Sequence, residues 1–137
     1  TSDAWYKPTR RSASTSPRTS VPPGGETPST RPAMAREAVR PGVLPSDLYR
    51  LTMRLFEEEG FDSLTPQAGH SLGRVAHEPP FLVQGSDRPL EPGMIVVVEP
   101  TMRLDGVGSF NIEDTTVVTE DGCEVLTSTP REWDAFL

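Results

Sequence analysis

The chain has no run of about 18 apolar residues, which excludes a helical membrane span. It opens with no basic, apolar, small-residue stretch of the kind a secretory leader carries. Cysteine occurs once, at Cys123, so no internal disulfide can form, and no metal-ligand spacing surrounds it. These absences make the reducing cytoplasm the expected compartment. Apolar residues are also scarce, 34% of 137 residues beside 15 prolines, which fits a chain that is packed only in part. A net charge of −7 argues against general affinity for nucleic acid.

The charge is unevenly spread. Residues 1–40 hold seven Lys/Arg against three Asp/Glu, and residues 41–137 hold six against seventeen. Serine, threonine and proline dominate positions 1–32, as in Ser12-Ala13-Ser14-Thr15-Ser16-Pro17 and Val21-Pro22-Pro23-Gly24-Gly25. No periodicity survives there, and such a segment cannot bury enough apolar surface to offset its chain entropy. Residues 1–32 are therefore expected to be a disordered, low-complexity tail, and residues 33–137 the domain.

Within the domain, Met34 to Arg40 has helical propensity and stops at Pro41-Gly42. Ser46 is a suitable N-cap for a second helix, with Asp47 in its first turn. Leu48, Leu51, Thr52, Leu55 and Phe56 then form one apolar stripe, and Gly60 ends the helix. Strands follow: Met94 to Glu99, residues 111–119, and Cys123 to Leu126 after the turn Glu120-Asp121-Gly122. Two helices and a set of antiparallel strands predict an α+β fold.

Three clusters carry chemistry. The two histidines, His70 and His77, lie seven positions apart in Gly69-His70-Ser71-Leu72-Gly73 and His77-Glu78-Pro79-Pro80. Glycines beside a histidine let backbone approach a ligand closely, although a lone loop histidine is more often a surface or packing residue. Glu99 ends an apolar strand, where alternation puts Ile95, Val97 and Glu99 on one side, and its charge can simply reach solvent. Glu113-Asp114 stands inside a β-branched strand, so either one face is wet or a cation neutralises the pair. Taken together, an imidazole and two carboxylates suit manganese, cobalt, iron or zinc, and such an ion can activate water and polarise a peptide carbonyl.

The order of these motifs, with Leu90-Glu91-Pro92-Gly93-Met94 and Thr119-Glu120-Asp121-Gly122 between and after them, resembles the pita-bread metallopeptidases. That superfamily includes methionine aminopeptidase, aminopeptidase P, Xaa-Pro dipeptidase and creatinase. Arg40-Pro41-Gly42-Val43 and Glu124-Val125-Leu126-Thr127 resemble the Xaa-Pro branch most. The resemblance implies the carboxyl-terminal portion of a pita-bread catalytic domain, with His70, Glu99 and Glu113 as metal ligands and His77 as the catalytic histidine that contacts substrate. It implies a divalent ion, manganese first, with cobalt, zinc or iron as alternatives. Its substrates would be short peptides, including those with proline second, with no nucleic acid or membrane as partner and a homodimer as the assembly considered. Asn111 stands where the family often has arginine, which leaves the fine substrate preference open.

A larger departure lies upstream. The family carries two metal-binding aspartates on a hairpin before the first helix. Ala4-Trp5-Tyr6-Lys7 and Arg18-Thr19 resemble parts of it, yet aligning Tyr6 puts Asp3 on a glycine position and Ser12 on the second aspartate. Two ions are implied for an intact relative and at most one here, with activity far below that of such a relative. The Arg/Pro/Ser/Thr bias of residues 1–32 fits a shifted reading frame or a truncated gene, and an intact single-frame transcript encoding the same stretch would remove the frame-shift reading. A peptide-binding module without catalysis and a creatinase-like amidinohydrolase are the alternatives.

Overall fold

The computed structural model describes residues 35–59, 66–104 and 108–129. The expected low-complexity tail, Met34 and the helix stop at Gly60 lie outside them. Residues 35–37 are helical, and the chain then breaks at Pro41-Gly42, where Gly42 takes a positive φ of 81° and its N–H reaches the Leu90 carbonyl at 2.9 Å.

Helix α1 spans Pro45–Glu59. Its start corrects the expected cap: Ser46 lies inside the first turn, and the Leu44 carbonyl accepts from Asp47 at 2.8 Å and Leu48 at 3.3 Å. Pro45 explains the shift, because its preset φ suits the first helical position and it has no N–H to leave unpaired. The Ser46 N–H donates instead to the Ser86 carbonyl at 3.1 Å. Leu48, Thr52, Leu55 and Phe56 are buried as the stripe requires. The polar member, Thr52, satisfies its hydroxyl on the Leu48 carbonyl at 2.8 Å.

Six strands follow among the described residues: β1 (Gly69–Leu72), β2 (Ile95–Val98), β3 (Thr101–Leu104), β4 (Gly108–Asn111), β5 (Asp114–Val118) and β6 (Cys123–Val125). Four make one sheet in the order β1-β2-β5-β6, and β3 and β4 pair as a separate ribbon. All pairings are antiparallel. The fold is α+β, a partial pita-bread architecture.

The register Val98↔Asp114 and Val96↔Thr116 aligns one sheet face, and its members Val96, Val98, Thr116 and Val118 are 2% exposed or less. Val96, Val98 and Val118 pack with Leu48 and Leu55 of α1 and with Ala35, Val39, Leu82 and Leu90 into one core. The opposite face carries His70, Ile95, Val97, Thr115 and Val117, which the registers His70↔Val97, Val97↔Thr115 and Ile95↔Val117 set side by side.

Two sequence expectations change here. The segment 111–119 is not one strand: Asn111 pairs with Thr101 in the ribbon, whereas Asp114 pairs with Val98 in the larger sheet. The chain changes sheets at Ile112-Glu113, and that switch interrupts the strand. His70 is also not in a loop. It lies in β1, where Gly69 approaches β2 so closely that a Cβ there would overlap the Val97 carbonyl oxygen and stand 2.8 Å from Leu82 Cδ1. The glycine that reads as a loop signal is what lets β1 pack.

Candidate metal centre

His70 is 4% exposed, and its ring is fixed from both sides. Nδ1 lies 2.9 Å from the Ser71 carbonyl oxygen. A carbonyl only accepts, so Nδ1 carries a proton and donates it. Nε2 then faces Glu99 Oε1 at 3.0 Å. At that distance the nitrogen and the oxygen share a proton, carried by either partner, or are the ligands of one metal ion. Anchoring one imidazole nitrogen on a backbone carbonyl while the other points at a carboxylate is the arrangement that orients metal-ligating histidines. The residues therefore fit a divalent ion.

Glu99 follows β2 directly, and its N–H is tied to the Ala68 carbonyl at 2.9 Å. Its second oxygen, Oε2, lies 3.5 Å from the Asn111 side-chain amide. His77 arrives from an excursion after β1, and its ring stands 4.2 Å from that of His70, tilted by 44°. One ligand atom from each of His70, His77 and Glu99 lies within 4.8 Å of the others. His70 and Glu99 offer one nitrogen and one oxygen, a borderline donor pair, beside which the His77 ring stands.

Glu113 is exposed and stands between β4 and β5, outside that group of three. The register of β2 with β5 ends at Val98↔Asp114, and Glu99 and Glu113 are the next residue on each chain beyond it.

Asp114, the neighbour of Glu113, points to the other face. It is 3% exposed, its Oδ2 is 3.0 Å from Arg36 Nη1, and its Oδ1 accepts from the Thr127 hydroxyl at 3.2 Å. The cation that the charged pair requires is thus supplied to Asp114 by the protein. Arg36 escaped the sequence reading because it lies 78 positions away. The His77-Glu78-Pro79-Pro80 motif gives Glu78 no role, although its carboxylate accepts from the Arg74 and Val75 N–H groups of the excursion. Cys123 lies on β6, at the edge of the sheet away from β1. Burial pushes its thiol above the ordinary range and Glu37 adds to that, while Arg36 pulls the other way.

The model of metallopeptidase family M24 matches residues 32–120. The chain belongs to that family. The Xaa-Pro dipeptidase of Pyrococcus furiosus is 34% identical over 99 residues, which is 72% of this chain and 28% of that protein. The crystal structure of dipeptidase PepE from Mycobacterium ulcerans superposes with a TM-score of 0.70 at 31% identity, covering 76% of this chain and 28% of that one. Methionine aminopeptidase from Rickettsia prowazekii superposes with a TM-score of 0.61 at 27% identity, covering 72% of this chain and 49% of that one. The chain thus spans little more than a quarter of the length of the curated M24 relatives it matches. The matched segment contains His70, His77, Glu99 and Glu113.

Proposed function

We propose that this chain forms part of a metal-dependent peptidase that removes the N-terminal residue of short peptides, including peptides with proline second. One observation carries the reading: His70 donates from Nδ1 to a carbonyl and presents Nε2 to Glu99 at 3.0 Å, a nitrogen and an oxygen aimed at one point as the ligands of a divalent ion are. His70, Glu99 and Glu113 hold the ion, manganese first and cobalt, zinc or iron otherwise. When bound, a divalent ion supplies Lewis-acid activation of a water and of the scissile carbonyl.

The chain's own groups do the rest. The Ser71 carbonyl keeps the His70 ring from turning, and the buried Val97 is its cross-strand neighbour on the same face. His77 is exposed, so its ring N–H can donate to a substrate carbonyl at the mouth of the site. A single ion is the most this chain holds, since neither upstream aspartate is present in its motif, and turnover stays far below that of a full-length relative.

The test is ion binding and dipeptide hydrolysis by the purified chain, beside His70→Ala and Glu99→Ala. Binding of one ion with slow release of amino acid from Xaa-Pro dipeptides, lost in both variants, supports the reading. Tight peptide binding with no hydrolysis under any of the four metals favours the second reading, a peptide-recognition module. The missing aspartate motifs favour that module, and retention of His70, Glu99 and Glu113 speaks against it.

A further inference from the structure

After Leu72 the chain leaves β1, turns, and returns beside it at Glu78. The return is tied by two backbone bonds, Ser71 N–H to the Glu78 carbonyl at 3.0 Å and Glu78 N–H to the Ser71 carbonyl at 3.1 Å. All five residues of the excursion, 73–77, are exposed, Val75 by 57%. Burial therefore contributes little to its shape, and hydrogen bonds must supply the order. Gly73 N–H reaches the Val75 carbonyl at 3.3 Å. The Glu78 carboxylate does more: Oε2 accepts from Arg74 N–H at 3.1 Å and from Val75 N–H at 3.4 Å.

Two successive N–H groups closing on one carboxylate oxygen make a small anion-holding turn, and a charged acceptor strengthens each bond. The carboxylate lies flat against Gly73, where a Cβ would overlap Oε1 and stand 2.9 Å from Cδ. Only glycine leaves that seat free. The last residue of the excursion is His77, whose ring this closure sets 4.2 Å from His70.

We infer that Glu78 is a positioning residue: its carboxylate holds the 73–77 excursion closed so that His77 faces the His70–Glu99 pair. The inference rests on the reading of this face as a peptide site only for its consequence, because the clamp itself can be observed without metal or substrate. The Glu78 carboxylate bonds Arg74 and Val75 of the excursion, so its loss acts on His77 and leaves the proposed ligands His70, Glu99 and Glu113 in place.

The experiment uses the 137-residue chain and its Glu78→Ala, Glu78→Gln and Gly73→Ala variants. Backbone amide exchange at Arg74 and Val75 and the imidazole NMR signals of His70 and His77 are read first, then cobalt and Ala-Pro affinities. In Glu78→Ala, exchange at both amides accelerates, the His77 signal moves more than that of His70, cobalt affinity holds, and Ala-Pro binds about tenfold more weakly. Gly73→Ala, which drives the carboxylate off its seat, reproduces the effect, and Glu78→Gln, which keeps an accepting oxygen, restores most of it. Unchanged amide exchange and an unchanged His77 signal in both Glu78→Ala and Gly73→Ala would overturn the clamp. Equal losses of cobalt and Ala-Pro affinity in a folded Glu78→Ala would overturn its selective action on His77. If the unaltered chain binds neither probe while the amides and His77 still respond, the peptidase reading fails and the clamp stands.

Discussion

The four-stranded sheet carries an acid–base pair on each face, and the two are built differently. On the core face Asp114 meets Arg36, with side chains 5% and 17% exposed. On the site face Glu99 meets His70, with side chains 21% and 6% exposed. Both pairs stand at 3.0 Å, so distance does not distinguish them. The base does. A guanidinium keeps its charge and offers only donors, so the core carboxylate is neutralised permanently. An imidazole with one nitrogen anchored can present a lone pair, so the cation opposite Glu99 is exchangeable. A fixed cation makes structure, and an exchangeable one makes a site.

Removing the cation from each face tests that difference, and the core face should respond most. Arg36→Ala leaves a buried carboxylate uncompensated, which costs about 3 kcal/mol or more. Urea unfolding measures it, and the expected drop leaves the ion affinity of any remaining folded protein near its original value. A drop below about 0.5 kcal/mol would put Arg36–Asp114 in the class of surface pairs and end the contrast. Next in size is His70→Ala, which should weaken divalent-ion binding by more than about a hundredfold. Its thermal midpoint without metal should change far less than that of Arg36→Ala. Calorimetric titration with zinc or cobalt reads the first, and a melt in chelator reads the second. A His70→Ala chain that binds the ion as tightly as before would place the metal elsewhere.

How much of this was legible in the sequence depends on the range of the interaction. The α1 stripe of Leu48, Leu51, Thr52, Leu55 and Phe56 is a local periodicity; four of the five are buried and Leu51 is half-buried against the core. The same holds for β2, whose apolar run sits between Pro92-Gly93 and Pro100. Motif order points to His70 and Glu99, and the fold sets them in contact. What failed was non-local. His70 forms a strand only because β2 accepts Gly69 against its backbone, which a Gly-rich segment does not announce. The split of 111–119 follows from a change of sheet that no local pattern marks. Arg36 and Asp114 carry no shared local signal at all.

A smaller effect probes the junction of β1 with β2, on which the site face depends. Gly69→Ala forces a methyl into the Val97 carbonyl and toward Leu82 Cδ1. Overpacking of this kind costs about 1–3 kcal/mol. The strand would have to move away from β2, and His70 with it, so ion affinity should fall along with stability. Core substitutions on the opposite face lack that second consequence. Leu48→Ala should lower stability by about 2–4 kcal/mol with ion affinity retained in the folded fraction. Equal effects of the two variants on ion binding would mean that the site is not carried by the β1–β2 register.

The smallest expected effect belongs to Cys123, which reports on the Arg36 side of the comparison. Burial raises its thiol above the ordinary range, Arg36 opposes that, and Sγ lies 3.4 Å from the Arg36 carbonyl, which accepts from the protonated form. The sign follows from linkage. In the unfolded chain the thiol ionises at its ordinary value, so as pH rises past that value the unfolded state binds fewer protons than the folded one. Stability then declines with pH until the raised folded value is passed, and below the ordinary thiol range the group contributes no pH dependence. Cys123→Ala should therefore flatten the alkaline limb of a stability–pH curve and leave the neutral region unchanged. Iodoacetamide should alkylate the folded protein more slowly than the urea-unfolded chain at mildly alkaline pH. Because the Arg36 charge favours the thiolate, Arg36→Met should slow alkylation further in whatever fraction stays folded. If it accelerates the reaction instead, Arg36 shields Cys123 mainly by covering it, and its charge acts on Asp114 alone.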